Sequence, residues 1–108
     1  MPKQPDSAEL IDQLKSLGAQ IRLRKSGQVH TLDFSASQPL PDDQQIASLS
    51  SLQSLEVLNC HDAPITDASI DDLLGHESLK LLTLTGTNIT AGGLKRLRQN
   101  MIACRIVS

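Results

Sequence analysis

Apolar and polar residues along this chain follow two different periods. Around residues 55–60, Leu58 and Cys60 are separated by one residue, and this alternation is typical of a half-buried strand. From residue 70 the apolar positions fall at helical spacing, with Ile70, Leu73 and Leu74 on one face. The pattern therefore predicts a strand, a loop and an amphipathic helix in succession.

The same strand-and-helix pattern recurs 24 residues later without a gap. Leu58 corresponds to Leu82 and Ile65 to Ile89, and the helical positions Ile70 and Leu73 correspond to Leu94 and Leu97. A looser copy precedes these two, in which Val29, Leu32 and Phe34 match Leu55, Leu58 and Cys60 at a spacing of 26. A final half-copy ends the chain, in which Ile106 follows Leu82 by 24 residues. Such units cannot bury their apolar faces alone, so we expect them to stack on a shared core.

Polar residues mark where the helices of these units begin. Thr66 and Thr90 stand where a side-chain oxygen can accept from free amides of a first helical turn. Asp42 and Gln45 have the spacing of a capping box in the earliest copy. These signals predict helix starts just after residues 42, 66 and 90.

The ends of the chain predict elements that cover the open ends of the stack. Residues 6–17 favour a helix, with Asp6 as N-cap and Gly18 as its stop. Residues 21–24 and 29–34, joined through 25–28, indicate a β-hairpin with Gly27 in its turn. Residues 104–108 predict a last short strand. We therefore divide one domain into a cap, 1–28, and repeats, 29–108.

Two loop phrases carry a family resemblance. Pro64-Ile65-Thr66-Asp67 and the segment 88–94 resemble the Ile-Thr-Asp-x-Gly-Leu phrase of leucine-rich repeats of the cysteine-containing, ribonuclease-inhibitor-like subtype, and the leader is similar to that of short bacterial members. His61-Asp62 and Thr85-Gly86 stand where the signature Asn or Cys of that subtype follows the strand. The resemblance covers residues 29–108. It implies an α/β fold: a right-handed solenoid with parallel strands on a concave face, helices on a convex face, and a helix-and-hairpin cap. It also implies a non-catalytic scaffold that binds proteins on its strand face.

Composition narrows the function classes. A formal net charge of −2 argues against nucleic-acid binding by bulk charge. Phe34 is the only aromatic residue, so the chain lacks the rings on which single-stranded bases commonly stack. No apolar run approaches the roughly 18 residues of a membrane span. The start of the sequence shows no hydrophobic segment after its first charge, so we expect no secretory signal and a cytoplasmic location.

Reactive side chains do not form a recognised catalytic or metal motif. His30, His61 and His76 lack the close spacing of zinc ligands. Cys60 and Cys104 fall two strands apart in the repeat, about 10 Å, so we expect reduced thiols without a disulfide bridge. Neither a nucleophile elbow nor a Walker phosphate loop is present. We therefore predict no enzyme activity, no catalytic residues, no cofactor and no metal.

Positions that alternate with the core leucines predict the binding surface. In the predicted sheet they point away from the core, and Val57 and Leu81 form an aliphatic pair among polar neighbours. The predicted site residues are Thr31, Asp33, Val57, Asn59, His61, Leu81, Thr83, Thr85 and Arg105. We expect an unidentified protein partner there, with no nucleic acid and no membrane. The alternative is a self-associating unit, a weak homo-oligomer that pairs through the C-terminal strand or the same apolar column.

Overall fold

Strands and helices alternate along the computed structural model, which describes residues 8–25, 27–38 and 40–108. Two 3-10 segments, Ser48–Ser51 and Asp67–Ser69, accompany the middle helices. The elements in chain order are α1 (Ala8–Ser16), β1 (Gln20–Leu23), β2 (Val29–Asp33), α2 (Asp43–Ala47), β3 (Val57–Asn59), α3 (Ile70–Leu74), β4 (Leu81–Thr83), α4 (Ala91–Asn100) and β5 (Arg105–Val107).

One five-stranded sheet joins the strands in the order β1-β2-β3-β4-β5. β1 and β2 form an antiparallel hairpin, and the remaining neighbours are parallel. Leu32 pairs with Leu58 and Leu58 with Leu82, so the residues that match in the sequence repeat lie side by side in the sheet. The predicted strand register is therefore confirmed.

The core lies on one face of the sheet, between the strands and the helices. Leu32, Leu58 and Leu82 have no exposed surface, and Leu73 of α3 and Leu97 of α4 are equally buried beneath them. Leu14 of α1 belongs to the same core, so the N-terminal helix and the later units bury their apolar faces together. Because side chains of a strand alternate, the residues between these leucines point to the opposite face.

The helix-start predictions are confirmed by side-chain contacts. Asp42 accepts from the amide of Gln45, and Thr90 accepts from the amide of Gly93. Thr66 accepts from the amide of Ala68, where the chain first forms a 3-10 turn and then α3. α2 and α3 are each five residues long, so the helices of the middle units are little more than single turns.

The N-terminal elements also form. Gly18 lies two residues after the end of α1 and has φ 88°, a left-handed conformation that glycine adopts without strain. The proposed N-cap Asp6 lies outside the described residues. The hairpin predicted for residues 21–34 is present as β1 and β2, with Gly27 at φ 86° in its turn.

The predicted fold class needs correction. We expected a right-handed leucine-rich-repeat solenoid with parallel strands on a concave face, but the chain forms a small compact α/β unit with a mixed sheet. Its Cα radius of gyration, 13.1 Å, is that of an ordinary globular domain of about 100 residues. The physical reason is that the hairpin and α1 join the same sheet and core as the later units. The few repeats thus form one compact unit with the hairpin and α1 and do not build an elongated stack.

Candidate functional site

The face of the sheet turned away from the core, called here the outer face, carries two rows of side chains. Each row crosses all five strands, because every strand contributes a residue in register with its neighbour. The first row is Arg22, Thr31, Val57, Leu81 and Arg105, and the second is Gln20, Asp33, Asn59, Thr83 and Val107. The structure therefore brings seven of the nine predicted site residues into two adjacent rows.

Val57 and Leu81 form the apolar centre of the first row. They are partners in the β3–β4 ladder, which places their backbones about 4.8 Å apart. Both side chains are half-buried, whereas the next residues along the strands, Leu58 and Leu82, are fully buried in the core. The pair thus presents aliphatic surface to the solvent side of the sheet.

Charges lie at the two ends of that first row. Arg22 on β1 and Arg105 on β5 are both exposed. Four strand spacings separate them, roughly 19 Å. Thr31 is the polar member of the row between Arg22 and Val57. The row is therefore positive at its ends and uncharged along its middle.

The remaining two predicted residues follow the strands. His61 is exposed and its Nε2 lies 3.2 Å from an Asp62 carboxylate oxygen, while Thr85 is half-buried. The amide of Asp62 donates to the carbonyl of Thr85, which holds the two loops together. Asp62 adopts φ 60°, and its repeat equivalent Gly86 adopts φ 79°, so both loops turn through a left-handed residue. His61 and Thr85 thus extend the outer face beyond the carboxyl ends of β3 and β4.

Two side chains of the second row also fix these loops. Asp33 accepts from the amide of Ser35, and Asn59 accepts from the amide of His61. Each side chain therefore bonds to the backbone two residues ahead, as in an Asx turn. One oxygen of Asp33 and the oxygen of Asn59 are therefore committed to the fold.

A carboxylate at the other end of the strands is a feature that the sequence analysis missed. Glu56 has only 12% of its side chain exposed and contacts the Arg24 guanidinium, Lys80 Nζ at 2.9 Å and His30 Nε2 at 3.3 Å. His30 lies in β2, Lys80 directly precedes β4, and Arg24 follows β1, so the cluster has no local sequence motif. A cavity of about 570 Å³ adjoins the cluster and is lined by Arg24, Glu56, Glu77, Ser78, Leu79, Lys80 and Ala103. Because cations balance the charge of Glu56, we interpret this cluster as a structural contact that holds neighbouring strands together just before β3.

The two cysteines are free thiols. Burial, together with the nearby Asp33 carboxylate, raises the pKa of Cys60 to about 12. Burial also raises the pKa of Cys104. Since a thiolate is the nucleophilic form of cysteine, both groups stay in the less reactive thiol form at neutral pH.

The three histidines lie in separate surroundings. His30 contacts Glu56, His61 contacts Asp62, and His76 is buried with its Nδ1 3.2 Å from the Leu52 carbonyl oxygen. Within residues 8–25, 27–38 and 40–108, His, Cys, Asp and Glu side chains do not gather in groups of three or more that could hold a metal ion. The structure thus gives each histidine a local partner of its own.

Comparison with protein-family models, with curated proteins and with solved structures yields no match. The structural description therefore rests on this chain alone. Among the helices of its described residues, none has the length and apolar character needed to cross a membrane.

Proposed function

We propose that this protein is a non-catalytic interaction module that binds a protein partner on the outer face of its sheet. The observation that carries the proposal is the adjacent, half-buried pair Val57 and Leu81, in register on neighbouring strands and rimmed by polar side chains. Exposed apolar surface with a polar rim often marks an interaction site.

The chemistry of the outer face favours a partner with an aliphatic centre and acidic flanks. Val57 and Leu81 would contact apolar side chains, while Arg22 and Arg105 would attract carboxylates about 19 Å apart. Thr83 and Asn59, neighbours in the second row, add hydrogen-bonding groups beside Val57 and Leu81. Without aromatic residues, the surface depends on aliphatic contact and on charge.

The proposal extends to the cellular location of the protein and to its mode of action. It would act in the cytoplasm, where its two free thiols are kept reduced. It would act by binding, since Cys60 is held as a thiol and the Glu56 carboxylate is engaged by cations.

A capture experiment tests this function. The wild-type protein and a Val57→Asp/Leu81→Asp variant serve as baits in extract of the source cells, and the captured proteins are compared. Ile102→Asp is the matched control, because Ile102 is an 89% exposed aliphatic residue away from the outer face. Circular dichroism must first show that all three baits are folded.

We expect a partner that wild type and Ile102→Asp retain and that the double variant loses. Two aliphatic-to-charged changes at the centre of an interface should weaken binding at least a hundredfold, about 3 kcal/mol. A partner held equally by all three folded baits would place the site elsewhere and refute the proposal.

A further inference from the structure

The two edges of the sheet differ in how they are protected. β1 carries exposed Arg22, is followed by exposed Arg24, and shifts register between Arg22 and Leu23. Charges and register irregularities of this kind discourage a further strand from adding at an edge. β5 has one charged residue, Arg105, and pairs with β4 in regular register over its whole length. Of the two edges that the sheet has among the described residues, the β5 edge is therefore the one suited to strand addition.

Backbone hydrogen bonds show which groups of β5 face outward. The amide of Arg105 donates to the Lys80 carbonyl at 2.8 Å, and the Val107 carbonyl accepts from the Leu84 amide at 2.7 Å. The backbone groups of Arg105 and Val107 are thus directed toward β4. Because backbone groups alternate in direction along a strand, the N–H and C=O of Ile106 point to the open edge of the sheet. They form one donor and one acceptor placed for a neighbouring strand.

We propose that a second copy of this chain binds at this edge, with the two β5 strands antiparallel about a two-fold axis through Ile106. In that register each Ile106 donates to, and accepts from, Ile106 of the other copy. Arg105 lies opposite Val107 of the second copy, so the one charge of each strand avoids its equivalent. A second copy therefore fits this edge without opposing like charges, which favours it as the occupant.

Side-chain burial is consistent with the same arrangement. Ile106 lies on the core face beside Leu82 and is only half-buried, although Leu82 is fully buried. The partner Ile106 would cover it, because directly opposed residues have Cβ atoms about 5 Å apart. The dimer thus completes an apolar row that ends at the sheet edge in one copy.

Charge variants at Val107 test the register. Val107→Glu places a carboxylate opposite Arg105 of the second copy, and Val107→Lys places a second cation there. Both alter the same half-buried side chain, so each is a matched control for the other's effect on folding. Because the two-fold axis repeats every contact twice, we expect Glu to tighten and Lys to weaken dimerisation by about five- to tenfold.

Sedimentation equilibrium of the purified chain from micromolar to millimolar concentration gives the measurement. The double variant Arg105→Glu/Val107→Lys should restore the association that Val107→Lys weakens. A wild-type chain that stays monomeric at millimolar concentration would overturn the proposal, as would equal association of the Glu and Lys variants. Since no partner is present, failure here leaves the outer-face function to its own test.

Amide hydrogen exchange gives a readout that needs no variant. In the proposed dimer, exchange of the Ile106 amide slows as concentration rises, whereas the Arg105 amide is already bonded to the Lys80 carbonyl within one copy. Ile106 exchange that does not respond to concentration, in a chain that does dimerise, would show that the copies associate through another surface.

Discussion

Gly93 lies in the first turn of α4 at a point where a methyl group does not fit. A Cβ there would lie 2.6 Å from an Asp67 carboxylate oxygen and 2.7 Å from Cδ1 of Ile70. Asp67 is held by the amide and hydroxyl of Thr90, so it cannot move aside without losing those bonds. The preceding Gly92 is different, since its nearest neighbour, Thr90 Oγ1, is at 3.9 Å.

These two glycines give a matched pair of variants. Gly93→Ala should lower the free energy of unfolding by about 1–3 kcal/mol through overpacking. Gly92→Ala should leave it unchanged or raise it by up to about 1 kcal/mol, because alanine is the better helix former. Urea denaturation of both variants checks the difference. Equal stability of the two would mean that α4 begins farther from Asp67 than described.

His76 supplies a prediction about pH. Its side chain is 1% exposed, Nδ1 donates to the Leu52 carbonyl, and Nε2 has no hydrogen-bond partner among the described residues. Burial lowers the pKa of His76 below its usual 6.5, although the Leu52 bond and nearby Asp72 act in the opposite direction. Between the unfolded and folded pKa values, the unfolded chain therefore binds a proton that the folded chain does not.

The free energy of unfolding should consequently fall as pH decreases from about 7.5 through 6.5 toward the lowered folded pKa. His76→Gln should reduce this slope, because it removes the buried imidazole. Chemical denaturation at several pH values gives the slopes. A His76→Gln slope equal to that of wild type would contradict the account.

At the residue scale, local signals were the predictable ones. The caps at Asp42 and Thr90 could be predicted because donor and acceptor lie three residues apart. The cluster around Glu56 could not, since Arg24, His30 and Lys80 are distant in the sequence and meet only when the strands pair. The burial of His76 likewise depends on packing against the preceding unit.

At the scale of the elements, carboxylates near the start of each helix join one repeat unit to the next. Asp43 in α2 accepts from the amide and hydroxyl of Thr66 and from the hydroxyl of Ser69. Partial desolvation acts to raise the pKa of Asp43, but the bonds from Ser69 and Thr66 together hold it below its usual value. Asp67 accepts from Thr90 in the same way, and these bonds lower its pKa.

Asp43→Asn tests this connection. The amide retains one acceptor oxygen and loses the charge, so we expect a loss of about 1–2 kcal/mol in the free energy of unfolding. Asp12→Asn, at an exposed position of α1, is the control and should change little. The Asp43 contribution is present above the usual pKa of 3.8 and is lost as pH falls through the lowered folded value. Equal stability of Asp43→Asn and Asp12→Asn at pH 7 would show that the junction is not stabilising.

Strands were more predictable than helices at this scale. Alternation fixed the register from Leu32 through Leu58 to Leu82, because a shift of one residue would expose the core face. The helical spacing at Ile70 and Leu73 predicted the buried face but not its length. Residues 67–69 form a 3-10 turn before α3, which the apolar spacing does not distinguish from an α-helix.

The whole molecule shows why the fold class was not predictable from the repeat. A 24-residue period specifies how one unit pairs with the next, and this relation is present in the β3–β4 ladder. It does not specify the overall form, which depends on how many units stack and on what covers them. Here α1 and β1 join the same core, and the result is a compact unit with extents of 37 × 32 × 18 Å.

The outer face is the feature of the whole molecule on which the proposed function depends. Site-specific photo-crosslinking tests it most directly, with a photoreactive residue at Thr83 on that face or at the exposed Gln99 of α4. We predict that Thr83, and not Gln99, crosslinks to a protein in extract of the source cells, and that Val57→Asp/Leu81→Asp abolishes this product. Crosslinking from Gln99 alone, or a Thr83 product unaffected by the double substitution, would contradict a partner site centred on Val57 and Leu81.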